Sequence, residues 1–249
     1  TRQVVPTEAG ELFLERSRGL LEEVDELEAQ VRGVQAEPRG TLRITTPHDF
    51  GRLILCDVLA AFVGEHPELR VELDLTDRLV DIVEEGFDVA LRIAQPSDST
   101  LRIRRLSPIE MCLCASPAYL ERYGVPERPA DLRTHNCIEY AHLAASGWRF
   151  RSNGRSETVV ATGRLHSTSG WAMRVFALAD HGIALLPLFM IREDLEAGRL
   201  QTLLADQLDH DNELAAMLPP GRQVPAKTRA FLDFVAERLS AEPWWQTPG

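Results

Sequence analysis

Residues 7 to 36 carry an apolar stripe too narrow, on a surface too charged, for a helix buried in its own globule, and this constrains the chain more than any other feature. Phe13, Ser17, Leu20, Val24, Leu27, Val31 and Val34 recur at spacings of four and three, the a/d seam of a heptad repeat with one polar member. Thr7 stands where an N-cap belongs. Glu8 and Glu11 follow in the first turn, at the positive end of the helix dipole. Much of the remaining surface is charged, with Glu22, Glu23, Asp25, Glu26, Glu28 and Arg32. Such a helix suits pairing with a like helix, so Leu20, Val24, Leu27, Val31 and Val34 are the expected dimer interface. The competing reading is a helix lying across its own domain. Pro38-Arg39-Gly40 ends the pattern and marks the clearest domain boundary, because Pro removes a donor and Gly permits a sharp turn.

After Gly40 the periodicity changes. Residues 41–45 alternate like a strand, 50–65 have helical period, and 69–75 alternate again. Residues 77–85 suit a short helix with Leu79, Ile82 and Val83 on its apolar side, and 88–93 form another strand. This order predicts an α/β fold with a parallel sheet and right-handed crossovers. A second unit begins with a strand over 109–116 and a cap-and-helix start at Ser116-Pro117. Strands over 138–140, 148–151 and 157–161 follow, with Asn153-Gly154 a hairpin turn between the last two. Ser167-Thr168-Ser169 caps a helix over 170–181, Gly182 ends it, and 183–186 is a short strand closed by Pro187. A strand over 214–218 and an amphipathic helix over 225–240 complete the order.

The chain has 249 residues and a net charge of -11, from 27 basic and 38 acidic residues, and Lys227 is the only Lys. Residues 1–39 hold 5 Arg against 9 acids, so that segment is itself net -4. These residues have no global field for nucleic acid or an anionic membrane, and on their own should bind DNA weakly or not at all. No stretch approaches the ~18 apolar residues of a membrane span, and no signal peptide is visible at Thr1-Arg2-Gln3. Cys56, Cys112, Cys114 and Cys137 read as reduced thiols, the His residues show no metal-ligand spacing, and no motif calls for a cofactor. Neither a nucleotide-binding glycine loop nor a nucleophile elbow is present, and His48-Asp49 has no nucleophile to join it. The chain is therefore expected not to be an enzyme.

Two loops are better suited to binding. Thr45-Thr46-Pro47-His48-Asp49-Phe50-Gly51 and Ser167-Thr168-Ser169-Gly170 each join the carboxyl end of a strand to a helix. Ligands of open α/β sheets collect there, and a helix N-terminus offers free amide donors to an anion such as a carboxylate. The hydroxyls of Thr46, Ser167, Thr168 and Ser169 add donors, and Phe50 suggests an aromatic group. Read blandly, both loops are ordinary caps. Asp49 is awkward, because it repels an anion unless it turns away or accepts from the ligand.

The order of motifs resembles the LysR-type transcriptional regulators. Thr1–Pro6 with Thr7-Glu8-Ala9-Gly10 resembles the family's wing and its entry into the linker helix, although Pro6 stands where Leu is usual. Phe87-Asp88-Val89-Ala90-Leu91-Arg92, Ser116-Pro117-Ala118-Tyr119-Leu120, His135-Asn136-Cys137 and Gly182-Ile183-Ala184-Leu185-Leu186-Pro187 are similar to successive family segments. The resemblance implies a periplasmic-binding-protein-like effector domain of two α/β subdomains behind the linker helix. The expected division is 1–6 remnant of a winged helix-turn-helix, 7–39 linker, 41–113 with 216–240 subdomain I, and 114–215 subdomain II. It further implies a cytoplasmic homodimer or homotetramer that binds DNA through a module upstream of Thr1, with Arg2 the one wing contact carried over. A small organic, carboxylate-like effector should lie between the subdomains. Its candidate contacts are Thr46, Pro47, His48, Phe50, Asp77, Arg92, Ser167, Thr168, Ser169 and Pro187. The rival is a solute-binding protein of a transport system with the same two-lobed fold, which would not need the heptad helix.

Overall fold

The computed structural model describes Thr7, Ala9, Gly10, Phe13, Ser17, Leu21 and Val24, then residues 37–94, 101–141, 147–152, 155–160, 162–209, 212–221 and 223–241. In the N-terminal segment, residues 9, 10, 13, 17, 21 and 24 are helical. The Thr7 hydroxyl accepts from the Gly10 amide at 3.2 Å, as an N-cap does. Phe13, Leu21 and Val24 present exposed apolar side chains on this helix. Arg2, Leu20, Leu27, Val31 and Val34 lie outside the described residues.

Two five-stranded sheets form the body. β1 (Gly40–Thr46) lies between β2 (Leu69–Leu75) and β3 (Val89–Ala94), parallel to both. β4 (Arg102–Pro108) forms the edge, giving the order β2-β1-β3-β12-β4 with β12 at Glu213–Leu218. β12 runs antiparallel to both neighbours, so this sheet is mixed rather than wholly parallel. The physical reason is its route. β12 enters from the second unit and not through a local crossover, so the βαβ constraint does not act on it. The helices α1 (Cys56–Glu65) and α5 (Ala226–Ala241) meet beside this sheet through Phe62 and Phe231, whose ring centroids are 5.7 Å apart. The Lys227 ammonium, mostly buried, donates to the Thr41 carbonyl at 2.6 Å and lies 3.5 Å from Asp88, tying α5 to β1.

The second sheet has the order β11-β5-β10-β6-β9. Its strands are β5 (Met111–Ala115), β6 (Cys137–Tyr140), β9 (Leu165–Ser167), β10 (Ile183–Pro187) and β11 (Gln201–Leu203). The chain crosses between sheets at residues 109–110 and returns before β12, so the expected boundaries at 113 and 216 fall inside β5 and β12. Its helices are α2 (Pro117–Tyr123), α3 (Gly170–Leu178) and α4 (Leu188–Glu196). A separate antiparallel hairpin pairs β7 (Trp148–Ser152) with β8 (Arg155–Val159). Ser152 pairs with Arg155, the register a two-residue Asn153-Gly154 loop requires, although that loop itself lies outside the described residues. The His135-Asn136-Cys137 segment is structural: the Tyr119 hydroxyl accepts from the Asn136 amide at 3.0 Å, and the Asn136 carbonyl accepts from the Ile183 amide at 2.9 Å.

Residues 77–85 are not a helix. The Asp81 carboxylate accepts from the Val83 and Glu84 amides, each at 3.0 Å, and offers the backbone turns in place of a helical ladder.

Candidate functional site

The two predicted loops face one another across the junction of the sheets. Beyond Thr46 the chain makes one helical turn at His48–Phe50, a π turn at Gly51–Leu55, and continues into α1. Gly51 packs closely there, and a Cβ would press on the ends of the Leu75 and Thr46 side chains. On the opposite side, Ser169 caps α3 by accepting from the Ala172 amide at 3.3 Å, and the Ser167 hydroxyl accepts from the Ser169 amide at 3.0 Å.

The closest link between the lobes is Asp49. Its Oδ2 accepts from the Trp171 amide, in the first turn of α3, at 3.0 Å. Gly170 leaves room for this approach, because a Cβ there would sit 3.0 Å from the same oxygen. Three residues on, the Arg52 guanidinium lies 4.8 Å from the Trp171 ring centroid, and Arg174 of α3 lies 4.7 Å from it, both in cation–π range. The carboxylate of Asp77, just beyond β2, also acts on Tyr140 at the end of β6. The same carboxylate accepts from the His48 amide at 3.2 Å. Burial raises the Tyr140 hydroxyl above its ordinary range, and the charges of Asp77 and Asp49 push it further.

Arg92 is buried beneath this junction. Its guanidinium donates to the Leu91 carbonyl at 2.7 Å, the Thr45 hydroxyl at 3.1 Å and the Arg78 carbonyl at 3.3 Å. Burial pulls its pKa down, with Asp77 and Asp74 opposing. Thr46 is 0% exposed and its hydroxyl has no hydrogen-bond partner, and Oδ1 of Asp49 has none either.

The structure thus brings together Thr46, His48, Asp77, Arg92, Ser167 and Ser169 around one junction. Thr168 is exposed at its edge, and Pro187 closes β10 opposite Met111. Phe50 departs from its expected role. It is 1% exposed and sits edge-on to Phe189 at 6.0 Å, so its ring is core between the lobes and offers no face to an effector. The suggestion of an aromatic effector therefore loses its basis. Sequence reasoning missed Arg52, Tyr140 and Trp171, whose partners are distant in the chain.

A hollow of about 390 Å³ opens elsewhere on the first lobe, lined by Arg43, Glu72, Asp74, Arg78, Glu85 and Phe87. Its charges largely pair among themselves, Arg43 with Glu72 at 3.3 Å and Arg78 with Glu85. Among the described residues no three His, Cys, Asp or Glu side chains are grouped to hold a metal ion, and no helix is long and apolar enough to cross a membrane.

Residues 35–240 match the LysR substrate binding domain family. The chain is 32% identical to the probable HTH-type transcriptional regulator LtrA of Klebsiella pneumoniae, over 97% of this chain and 79% of that protein. It is also 32% identical to the HTH-type transcriptional regulator PtxR of Pseudomonas aeruginosa, over 98% of this chain and 78% of that protein. The fold superposes on CrgA, a LysR-type transcriptional regulator from Neisseria meningitidis, with a TM-score of 0.70 at 27% identity, covering 96% of this chain and 82% of that one. The full-length Vibrio cholerae virulence activator AphB gives a TM-score of 0.69 at 27% identity, covering 95% of this chain and 82% of that one. The two-lobed domain and this kinship together place the chain in the LysR family, as a ligand-responsive transcriptional regulator and not an enzyme.

Proposed function

We propose that this regulator senses a small organic anion, a carboxylate by preference, between its two lobes, with the α3 N-terminus as the anion's seat. LysR regulators bind DNA and small effectors and are oligomeric; the carboxylate, the homodimer or homotetramer and a cytoplasmic site of action are this reading's own. What carries it is the Asp49–Trp171 contact: a carboxylate already sits on the Trp171 amide in the first turn of α3, so the position accepts that chemistry. Thr46, Pro47, His48, Asp77, Arg92, Ser167, Thr168, Ser169 and Pro187 form the proposed surround. Ligand-driven rearrangement of the lobes shifts the paired linker helices, and with them the spacing of the DNA-binding modules. The proposed division keeps residues 7–39 as the dimerising linker and treats Arg2 as a wing contact to DNA.

A thermal-shift screen of small carboxylates on the wild type and on Thr168→Val tests the site. A stabilising acid should lose a substantial part of its shift in the variant, because one hydroxyl donor at the rim is removed. Equal shifts in both proteins would remove Thr168 from the site.

A further inference from the structure

The anion seat has an occupant belonging to the protein. The Trp171 amide, which an effector carboxylate would need, already donates to Asp49 Oδ2 at 3.0 Å. Asp49 comes from the other lobe, 122 residues away in the chain, and is 7% exposed. Its position is enforced from several sides. Pro47 and the π turn fix the backbone, Gly170 has no Cβ to block the approach, and Phe50 beside it is anchored against Phe189. Arg52, one turn further on, holds the ring of the same Trp171. Lobe I therefore grips the start of α3 twice, once through the backbone and once through the indole.

The hydroxyl of Thr46, fully buried at the carboxyl end of β1, has no hydrogen-bond partner, whereas Oδ1 of Asp49 lies 3.7 Å from His48 Nδ1 and 4.0 Å from the Arg52 guanidinium. The Thr46 methyl is the atom turned toward Gly51, so the hydroxyl points away from that packing. Buried polar atoms without partners are uncommon in native proteins, and each calls for an explanation.

We infer that Asp49 is an intramolecular competitor of the effector: its carboxylate occupies the α3 N-terminus in the effector-free chain, and an effector carboxylate binds there by displacing it. Two carboxylates cannot share one amide donor without bringing like charges together, so the two states exclude one another. This supplies a switch at the proposed site, and it rests on the reading that a carboxylate binds there. Displacement releases the backbone half of the grip on Trp171, while Arg52 keeps its hold on the indole.

Removing this polar side chain from the site should tighten acid binding. The 249-residue chain, Asp49→Asn and Asp49→Ala are titrated with benzoate and with acetate, following tryptophan fluorescence, with Trp171→Phe assigning the signal. Loss of a charge-assisted competitor is expected to strengthen acid binding about tenfold in Asp49→Ala. Asp49→Asn, which keeps a neutral acceptor on the amide, should fall between it and the wild type, and it serves as the variant that preserves the local fold. Equal affinity in all three proteins, or weaker binding in Asp49→Ala, overturns the competition while leaving the effector site standing. If neither acid binds any of the three proteins, the carboxylate reading itself is lost and the competition with it.

Discussion

Asp49 shows how one side chain can carry more than its neighbours in sequence suggest. Beside Pro47 and His48 it reads as an obstacle to an anion, and only the fold reveals that its charge is answered by the α3 N-terminus. Phe50 is the converse case. An aromatic next to a binding loop invites a stacking role, but burial against Phe189 makes it core. The cysteines follow their composition-level reading more closely. Burial pushes the Cys112 and Cys137 thiols up to about 12 and Cys114 further still, while Cys56 is exposed. At neutral pH the native protein should therefore react with iodoacetamide at Cys56 alone on a timescale of minutes, the other three labelling only after unfolding, because the thiolate is the reacting form. Peptide mass spectrometry decides it, and rapid modification of Cys112 or Cys137 would contradict their burial.

At the scale of elements, caps were the most legible features. Thr7, Ser116 and Ser169 each accept from an amide three residues on, as their positions in the sequence predict. Local rules suffice there, since a cap satisfies donors within its own turn. Apolar period over 77–85 points to a helix, but it does not register the competition of the Asp81 side chain for amides. The rigidity of α3 depends on a feature no local rule exposes. Asp194 of α4 is 0% exposed and accepts from Arg174 of α3, at 2.5 Å and 2.9 Å, and from Nε of Arg199 at 2.8 Å. Asp194→Ala would leave the largely buried Arg174 guanidinium uncompensated. Urea unfolding should show a loss of about 3–5 kcal/mol, with Arg199→Ala costing far less because that side chain is half exposed. Comparable losses in the two variants would mean that Arg174 is satisfied without Asp194.

For the whole molecule, the division of labour runs along the chain. The net charge of -11 includes -4 from residues 1–39, so electrostatics gives this segment no attraction to DNA, and the proposed assembly rests on its apolar seam. Leu27→Asp places a charge in that seam and should lower the dimer fraction in sedimentation velocity at micromolar protein, with no change in the thermal unfolding of the two-lobed body. An unaltered dimer would assign self-association to some other surface.

The sequence by itself determined most of the strands and helices, three helix caps, the two strand-to-helix loops and, through ordered motifs, the family. All of these depend on contacts within a few residues or on periodicity, which a linear chain displays directly. The tertiary structure decided that β12 inserts antiparallel into the first sheet, that Phe50 is core, and that Asp49 of one lobe binds the Trp171 amide of the other. These are pairings between segments brought together only when two lobes close on each other. A carboxylate's partner across such a gap is a matter of geometry, which composition and spacing do not encode.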